Sequence, residues 1–382
     1  MIQAARQPAV MGARQCDVAI VGAGIVGLAH ALAAVKRGLR VTVFERDRQP
    51  LGASVRNFGL GLALGQTQGE MHALAHASRE IWLDVLPRAG CWHKTQGSVT
   101  VARNPVEQAV LDEFQSLRGA EYGTRLLSPA EVGDFGLPTG QVAGALFSGD
   151  EIAFESRVAL PRIVAWLAEV HGVEFVFGTQ VNAIDLPAVT TSRGIWQAGQ
   201  AIVCAGHDFQ TLFSDAYAEP PLQRCALQML RVANPGLTLG PAFMTGMSTL
   251  RYGSFAGLET LAALRRQLDD ADPVWLAEGI HLIVQQVGET GELLIGDSHR
   301  YGESVGPFNS EAIDARLLQL AESLLGRRLT VLERWQGVYA SGPDGYLVRE
   351  AAPGVTVVAI TCGIGMSVSF GLAERVVANA LA

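Results

Sequence analysis

The sequence predicts an α/β fold in which a parallel-sheet domain is interleaved with an antiparallel-sheet (α+β) domain. Three observations predict it. A strand, a glycine-rich turn, a helix and a second strand follow one another over residues 17–45. A strand, a glycine turn and a helix close the chain over 355–380. Between them, 222–305 breaks into short strand-like pieces separated by Pro and Gly. At 382 residues the chain is too long for one small core, given roughly 100–200 residues per domain. An apolar content of 49%, a charged content of 17% and 43 glycines without a collagen period exclude a disordered chain and a fibre.

The first apolar run, 17–21, has strand length, and Gly22, Gly24 and Gly27 follow it at once. Leu28, Leu32 and Val35 recur at helical spacing until Gly38 stops the helix. Residues 39–44 read as a second buried strand with Glu45 at its end, completing a Rossmann-like βαβ unit. A loop over 51–65 carries four glycines, and 70–86 is helical up to Pro87. Residues 97–101 read as a strand, 106–117 as an amphipathic helix and 128–132 as a short helix capped by Ser128. A helical pattern over 158–170 is closed by His171 and Gly172. Strands at 173–177 and 201–205 then rejoin the parallel sheet, with Gly206 after the second. Residues 281–287 and 292–296 suggest a hairpin. The strand at 355–361 is followed by Gly363 and Gly365 and by a helix from about Ser367 to Ala380. With no repeat or long linker, the chain is expected to cross between domains several times. Residues 15–85, 145–215 and 330–382 would form the nucleotide domain, and 86–144 and 216–329 the substrate domain.

Composition narrows the partners. The net charge is −8, from 29 basic and 37 acidic side chains, and no segment gathers the cations, so nucleic acid is not an expected partner. Lys36 and Lys94 are the only lysines, which leaves arginine for planar, two-pronged anion recognition. Cys16, Cys91, Cys204, Cys225 and Cys362 are odd in number and without CxxC spacing. They read as reduced thiols rather than a disulfide framework, and no metal site is expected. The first fourteen residues lack an apolar leader core, and the run over 18–34 is broken by three glycines. A cytoplasmic protein with no stable membrane association is expected.

The glycines carry the chemistry. Gly22 permits a tight turn, Gly24 lets a pyrophosphate approach the backbone, and Gly27 lets helix and strand pack closely. The helix N-terminus offers unpaired N–H groups and a partial positive charge to two phosphates. Glu45 can accept both ribose hydroxyls of an adenosine and would repel a 2′-phosphate. At the other end, Gly363, Ile364, Gly365, Met366 and Ser367 lead into a second helix N-terminus, suited to the negative charge that builds on a flavin during reduction. This favours FAD over a nicotinamide.

The fingerprint ending in Glu45 and Arg46, the loop of Ser54, Arg56, Asn57 and Gly59, the run Val203–Gly206, and the segment Gly363–Ser367 together resemble the flavoenzyme family of D-amino-acid, glycine and sarcosine oxidases. The resemblance covers nearly the whole chain. It implies that Val181 meets the adenine through its backbone and that Arg46 flanks the adenosine. It also implies hydride transfer from the carbon beside a neutral amine, with the resulting imine hydrolysed by water and the electrons passed to oxygen or another acceptor. No second GxGxxG appears to supply electrons from NADPH. The family's covalent flavin cysteine has no match, since Cys362 belongs to a strand end, so FAD is expected to be noncovalent.

Relatives that oxidise amino acids place an Arg in a W-x-G-x-R-P stretch; here Trp335, Gln336, Gly337 and Val338 lead to Tyr339. A Tyr donates one hydrogen bond but cannot neutralise a carboxylate. The resemblance implies that His281 begins a strand facing the flavin and that His299 lies near the substrate. With Arg56 they would hold a dianion and titrate near neutral pH. Arg231 and Arg251, with Tyr252, are further candidates for the anion, weighed against a place on the surface. The stretches 53–59, 227–231, 296–299 and 363–367 resemble a bacterial subfamily linked to breakdown of 2-aminoethylphosphonate. That implies a small amino-anion substrate, the aminophosphonate or its N-methyl form. A glycine, sarcosine or D-amino acid oxidase, or a dehydrogenase, is the alternative.

Overall fold

The computed structural model describes residues 14–380. The leader reading of the first fourteen residues thus lies, except for Arg14, outside the described residues. The opening strand, Arg14–Val21, runs through Gly22–Gly24 into the helix Ile25–Val35 and returns as the strand Val41–Glu45. The two strands pair in parallel, Val18 opposite Val41 and Val21 opposite Phe44. Five parallel strands stand in the order Val355–Cys362, Gly194–Val203, Arg14–Val21, Val41–Glu45 and Glu174–Phe177. Alternation decides their faces. Val18 and Ile20 enter one core with the helices Ile25–Val35, Glu70–Arg88, Ser156–His171 and Gly365–Ala380. Ala19, Val203 and Phe44 enter the other, beneath the strands Val181–Asp185 and Ala188–Thr191.

Local chemistry sets the helix ends. Asn104 accepts from the Val106 and Glu107 amides and starts Pro105–Arg118. Ser128 and Glu131 form a reciprocal capping box for Pro129–Asp134. Gly172, at φ 69°, closes Ser156–His171 in the left-handed conformation.

The second half of the sheet runs Arg125–Leu127, Gly144–Ser148, Ser98–Ala102, Ala242–Thr245, Ile283–Val287, Glu292–Gly296 and Gln223–Val232. It is mixed rather than wholly antiparallel, because Ser98–Ala102 and Ala242–Thr245 pair in parallel. The hairpin forms with Ile283 opposite Gly296 and Val287 opposite Glu292, and His281 precedes the strand instead of beginning it.

The two halves are one continuous sheet, joined by the strand Val331–Ala352. Its first part pairs with Gln223–Val232 as far as Ser341. Its second pairs with Val355–Cys362 from Ser341 to Ala352, with a register shift between Ser341 and Tyr346. Gly337, Gly342, Pro343 and Gly345 all lie in the strand that crosses between the halves. No helix among the described residues is long and apolar enough to cross a membrane.

Candidate active site

Three adjoining cavities lie along the carboxyl ends of the parallel strands. The first is lined by Gly22, Gly24, Glu45, Arg46, Arg56 and Val181. Gly22 has φ +102°, and a Cβ there would stand 2.4 Å from the Cys204 carbonyl oxygen. The turn brings the Ala23 amide to Glu45 Oε2 at 2.9 Å, while Glu45 Oε1 accepts from Asp47 at 3.1 Å. Each carboxylate oxygen keeps a further acceptor site for a ribose hydroxyl. Ser54 Oγ accepts from the Ile25 amide at 2.9 Å, which ties the 53–55 turn to the helix N-terminus. Arg46 is paired with Asp208 at 2.9 Å on the rim.

The middle cavity shares Ser54 and Gly206 with the first and is walled by Asn57, Tyr339 and the segment Gly363–Ser367. Gly206 and Gly363 both hold left-handed φ, +66° and +77°. The helix Gly365–Ala380 begins here, so its partial positive charge faces the cavity. Ser367 Oγ accepts from the Leu62 amide at 2.9 Å, and Asn57 bonds Ala53, Ser54 and Gly59 of its own loop. Amide donors at two helix ends and a carboxylate at the far wall fit a dinucleotide lying along both cavities.

The third compartment opens beyond Gly363 and is lined by Arg251, Tyr252, His281, Asp297, His299 and Tyr339, among others. Arg251 Nε donates to His299 Nε2 at 3.1 Å. His299 Nδ1 lies 2.9 Å from the Gly279 oxygen, which puts its proton on Nδ1 and leaves Nε2 as acceptor. Burial pushes His299 down to about 3; Asp297 opposes this, and Arg251 and His281 add to it. His299 is therefore neutral near pH 7, and the expectation that both histidines titrate there is corrected for it. Asp297 is buried, with Oδ1 3.0 Å from His281 Nε2 and Oδ2 3.7 Å from His299 Nε2. Burial raises its pKa, but His299, His281 and Arg251 outweigh that and hold it below the usual carboxylate value. His281 Nδ1 meets Ser248 Oγ at 2.9 Å.

His281, Asp297 and His299 present ligand atoms within 4.8 Å of one another, a two-histidine, one-carboxylate set. Here the His299 Nε2 lone pair is taken by Arg251, whose charge opposes a cation beside it.

Several predicted roles change place. Tyr339 lines both inner compartments, but its hydroxyl donates to the Arg56 carbonyl at 2.8 Å, so its one proton is committed to backbone. Arg56 lines the first cavity and not the third, with Nη1 3.4 Å from the Gln336 oxygen. It stands at the first cavity and away from the third. Arg231 is held by Glu155 at 2.8 Å and by Glu292, outside the compartment. Arg251, weighed as a surface residue, instead lines the compartment, the only arginine or lysine among the described residues to do so. Asp297 went unrecognised, although it stands two residues before His299, whose ring its Oδ2 approaches to 3.7 Å.

Solved structures share the fold. Glycine oxidase from Geobacillus kaustophilus has a TM-score of 0.76 at 20% identity over 96% of this chain and 95% of that chain. L-proline dehydrogenase from P. horikoshii has a TM-score of 0.77 at 17% identity over 95% and 92%. The curated tRNA 5-methylaminomethyl-2-thiouridine biosynthesis bifunctional protein MnmC of Magnetococcus marinus is 25% identical over 293 residues, 72% of this chain. The match spans 43% of that protein, less than half of its length. Residues 17–379 match the family DAO, FAD dependent oxidoreductase, and with nearly its whole length so matched the chain belongs to that family, with FAD as its cofactor.

Proposed function

We propose that the protein oxidises the C–N bond of a small amino anion, 2-aminoethylphosphonate or its N-methyl form, to an imine that water hydrolyses to phosphonoacetaldehyde and ammonia or methylamine. The observation that carries this reading is the third compartment: it meets the cofactor cavity at Gly363 and holds a cation, Arg251, and a buried anion, Asp297. Tyr339 in place of the expected arginine disfavours an α-amino acid held in the family's usual way.

Glu45, the turn Gly22–Gly24 and the segment Gly363–Ser367 would hold FAD noncovalently, and it would supply the acceptor for a hydride from the carbon beside the nitrogen. The chain's residues bind and orient. The Gly365–Ala380 helix end favours negative charge in the middle cavity, and Gly363 permits close approach of the compartment to it. Asp297 favours an amine on its side of the compartment, and the neutral amine needed for oxidation forms when its proton passes to solvent. The electrons leave to oxygen or another acceptor. Anaerobic mixing with N-methyl-2-aminoethylphosphonate is expected to bleach the yellow protein. Faster bleaching by sarcosine would replace the phosphonate with a carboxylate substrate, and unchanged colour with every small amino anion at millimolar concentration would remove the reading.

A further inference from the structure

We propose that Arg251 and Asp297 read the two poles of the substrate, Arg251 gripping its anionic group end-on through Nη1 and Nη2 while Asp297 faces its amine. The assignment rests on the amino-anion reading above. Arg251 uses Nε on His299, the guanidinium's one hydrogen bond among the described residues, and no carboxylate there comes within ion-pair distance of it. A guanidinium lining the compartment without a carboxylate partner is suited to a ligand that brings the negative charge. Its Nη2 points toward the cofactor end: a Cβ added to Gly363 would stand 3.6 Å from it.

Asp297 sets the opposite pole. Its Oδ1 is buried without an aligned donor, although His281 Nε2 is 3.0 Å away. A carboxylate there repels a carboxylate or phosphonate and attracts an ammonium, so the anion is directed to the Arg251 side. His299 acts through Arg251 as a positioning residue: its Nδ1–H is fixed on Gly279 O, and its Nε2 holds Nε so that the fork faces forward. The arginine that the family motif lacks at Tyr339 is thus replaced from the other half of the sheet. The ligand class is a planar or tetrahedral oxyanion offering two oxygens, a carboxylate or a phosphonate.

The test uses oxidised holoenzyme and two anions that cannot be oxidised, methylphosphonate and acetate, with the perturbation of the bound flavin's absorbance as readout. Wild type is expected to show saturable shifts, methylphosphonate binding the tighter. Arg251→Gln is expected to raise the Kd by about 30-fold, the scale of one lost charge-assisted hydrogen bond. Asp297→Asn is expected to tighten both bare anions. An unchanged Kd in Arg251→Gln, with FAD retained, overturns the proposal. Should that variant lose FAD, phenylglyoxal modification of wild type decides: methylphosphonate is expected to protect Arg251, and equal labelling with and without it overturns the assignment. Because neither anion turns over, these results stand even if no amine bleaches the flavin, which would sink the proposed function alone.

Discussion

Gly27→Ala isolates the phosphate-binding turn. A Cβ at residue 27 would lie 1.9 Å from the Gly22 carbonyl oxygen and 3.1 Å from its carbon. Ordinary contact begins near 3.4 Å, so the turn and the helix must separate by about 1.5 Å, against a strand whose Ile20 Cγ2 is 3.4 Å away. Overpacking of this kind costs about 1–3 kcal/mol, and the better helix propensity of Ala returns roughly 1 kcal/mol. The net loss of stability is therefore small, about 0–2 kcal/mol. The cofactor suffers more, since N–H groups displaced by over an ångström no longer meet its phosphates. Losing about two charge-assisted hydrogen bonds corresponds to at least ~3 kcal/mol, or roughly 100-fold in Kd. Titrating apoprotein with FAD by flavin fluorescence, alongside a thermal midpoint, separates the two effects. A variant that binds FAD within threefold of wild type would refute the placement of the pyrophosphate at this turn.

Glu45→Ala removes the acceptor of the Ala23 and Asp47 amides and the ribose anchor together, and an FAD Kd raised about tenfold or more is expected in the same titration. His30 is fully buried, and burial pushes it down to about 4. Because its folded pKa lies below the unfolded value, the unfolded chain takes the proton first; stability is complete above about pH 6.5 and falls as pH drops towards 4, by roughly 2 kcal/mol at pH 5. His30→Leu should lose less stability than wild type between pH 7 and pH 5 in urea titrations, and an equal loss would contradict this. Cys362 lines the third compartment, not the middle cavity, and its Sγ donates to the Gly345 oxygen at 3.0 Å. Acid precipitation should therefore release all flavin to the supernatant; colour retained in the pellet would show a covalent bond.

The nucleotide half was legible because its signals are local. Gly22, Gly24, Gly27 and Glu45 lie within one βαβ unit, and each has a backbone reason for its identity. The Gly363–Ser367 segment was legible for the same reason. The joining strand Val331–Ala352 was not: its Gly and Pro residues mark turns in isolation, and only pairing with two different neighbours holds them extended. The third compartment was partly legible. His281, His299 and Tyr339 were recognised, but Arg56 and Arg251 exchanged sides, because which cavity an arginine enters depends on how the two halves of the sheet meet. Asp297 was missed since its charge matters only beside His281, His299 and Arg251, which the fold brings in from other segments.

The most direct measurement is a crystal structure of the holoenzyme grown with methylphosphonate. The account predicts FAD stretched through the first two cavities, adenosine against Glu45 and Val181 and ring system against Gly363, with the phosphonate oxygens on Arg251 in the third. Density placing the adenosine elsewhere, or the anion on Arg56 or Tyr339 with Arg251 untouched, would contradict it.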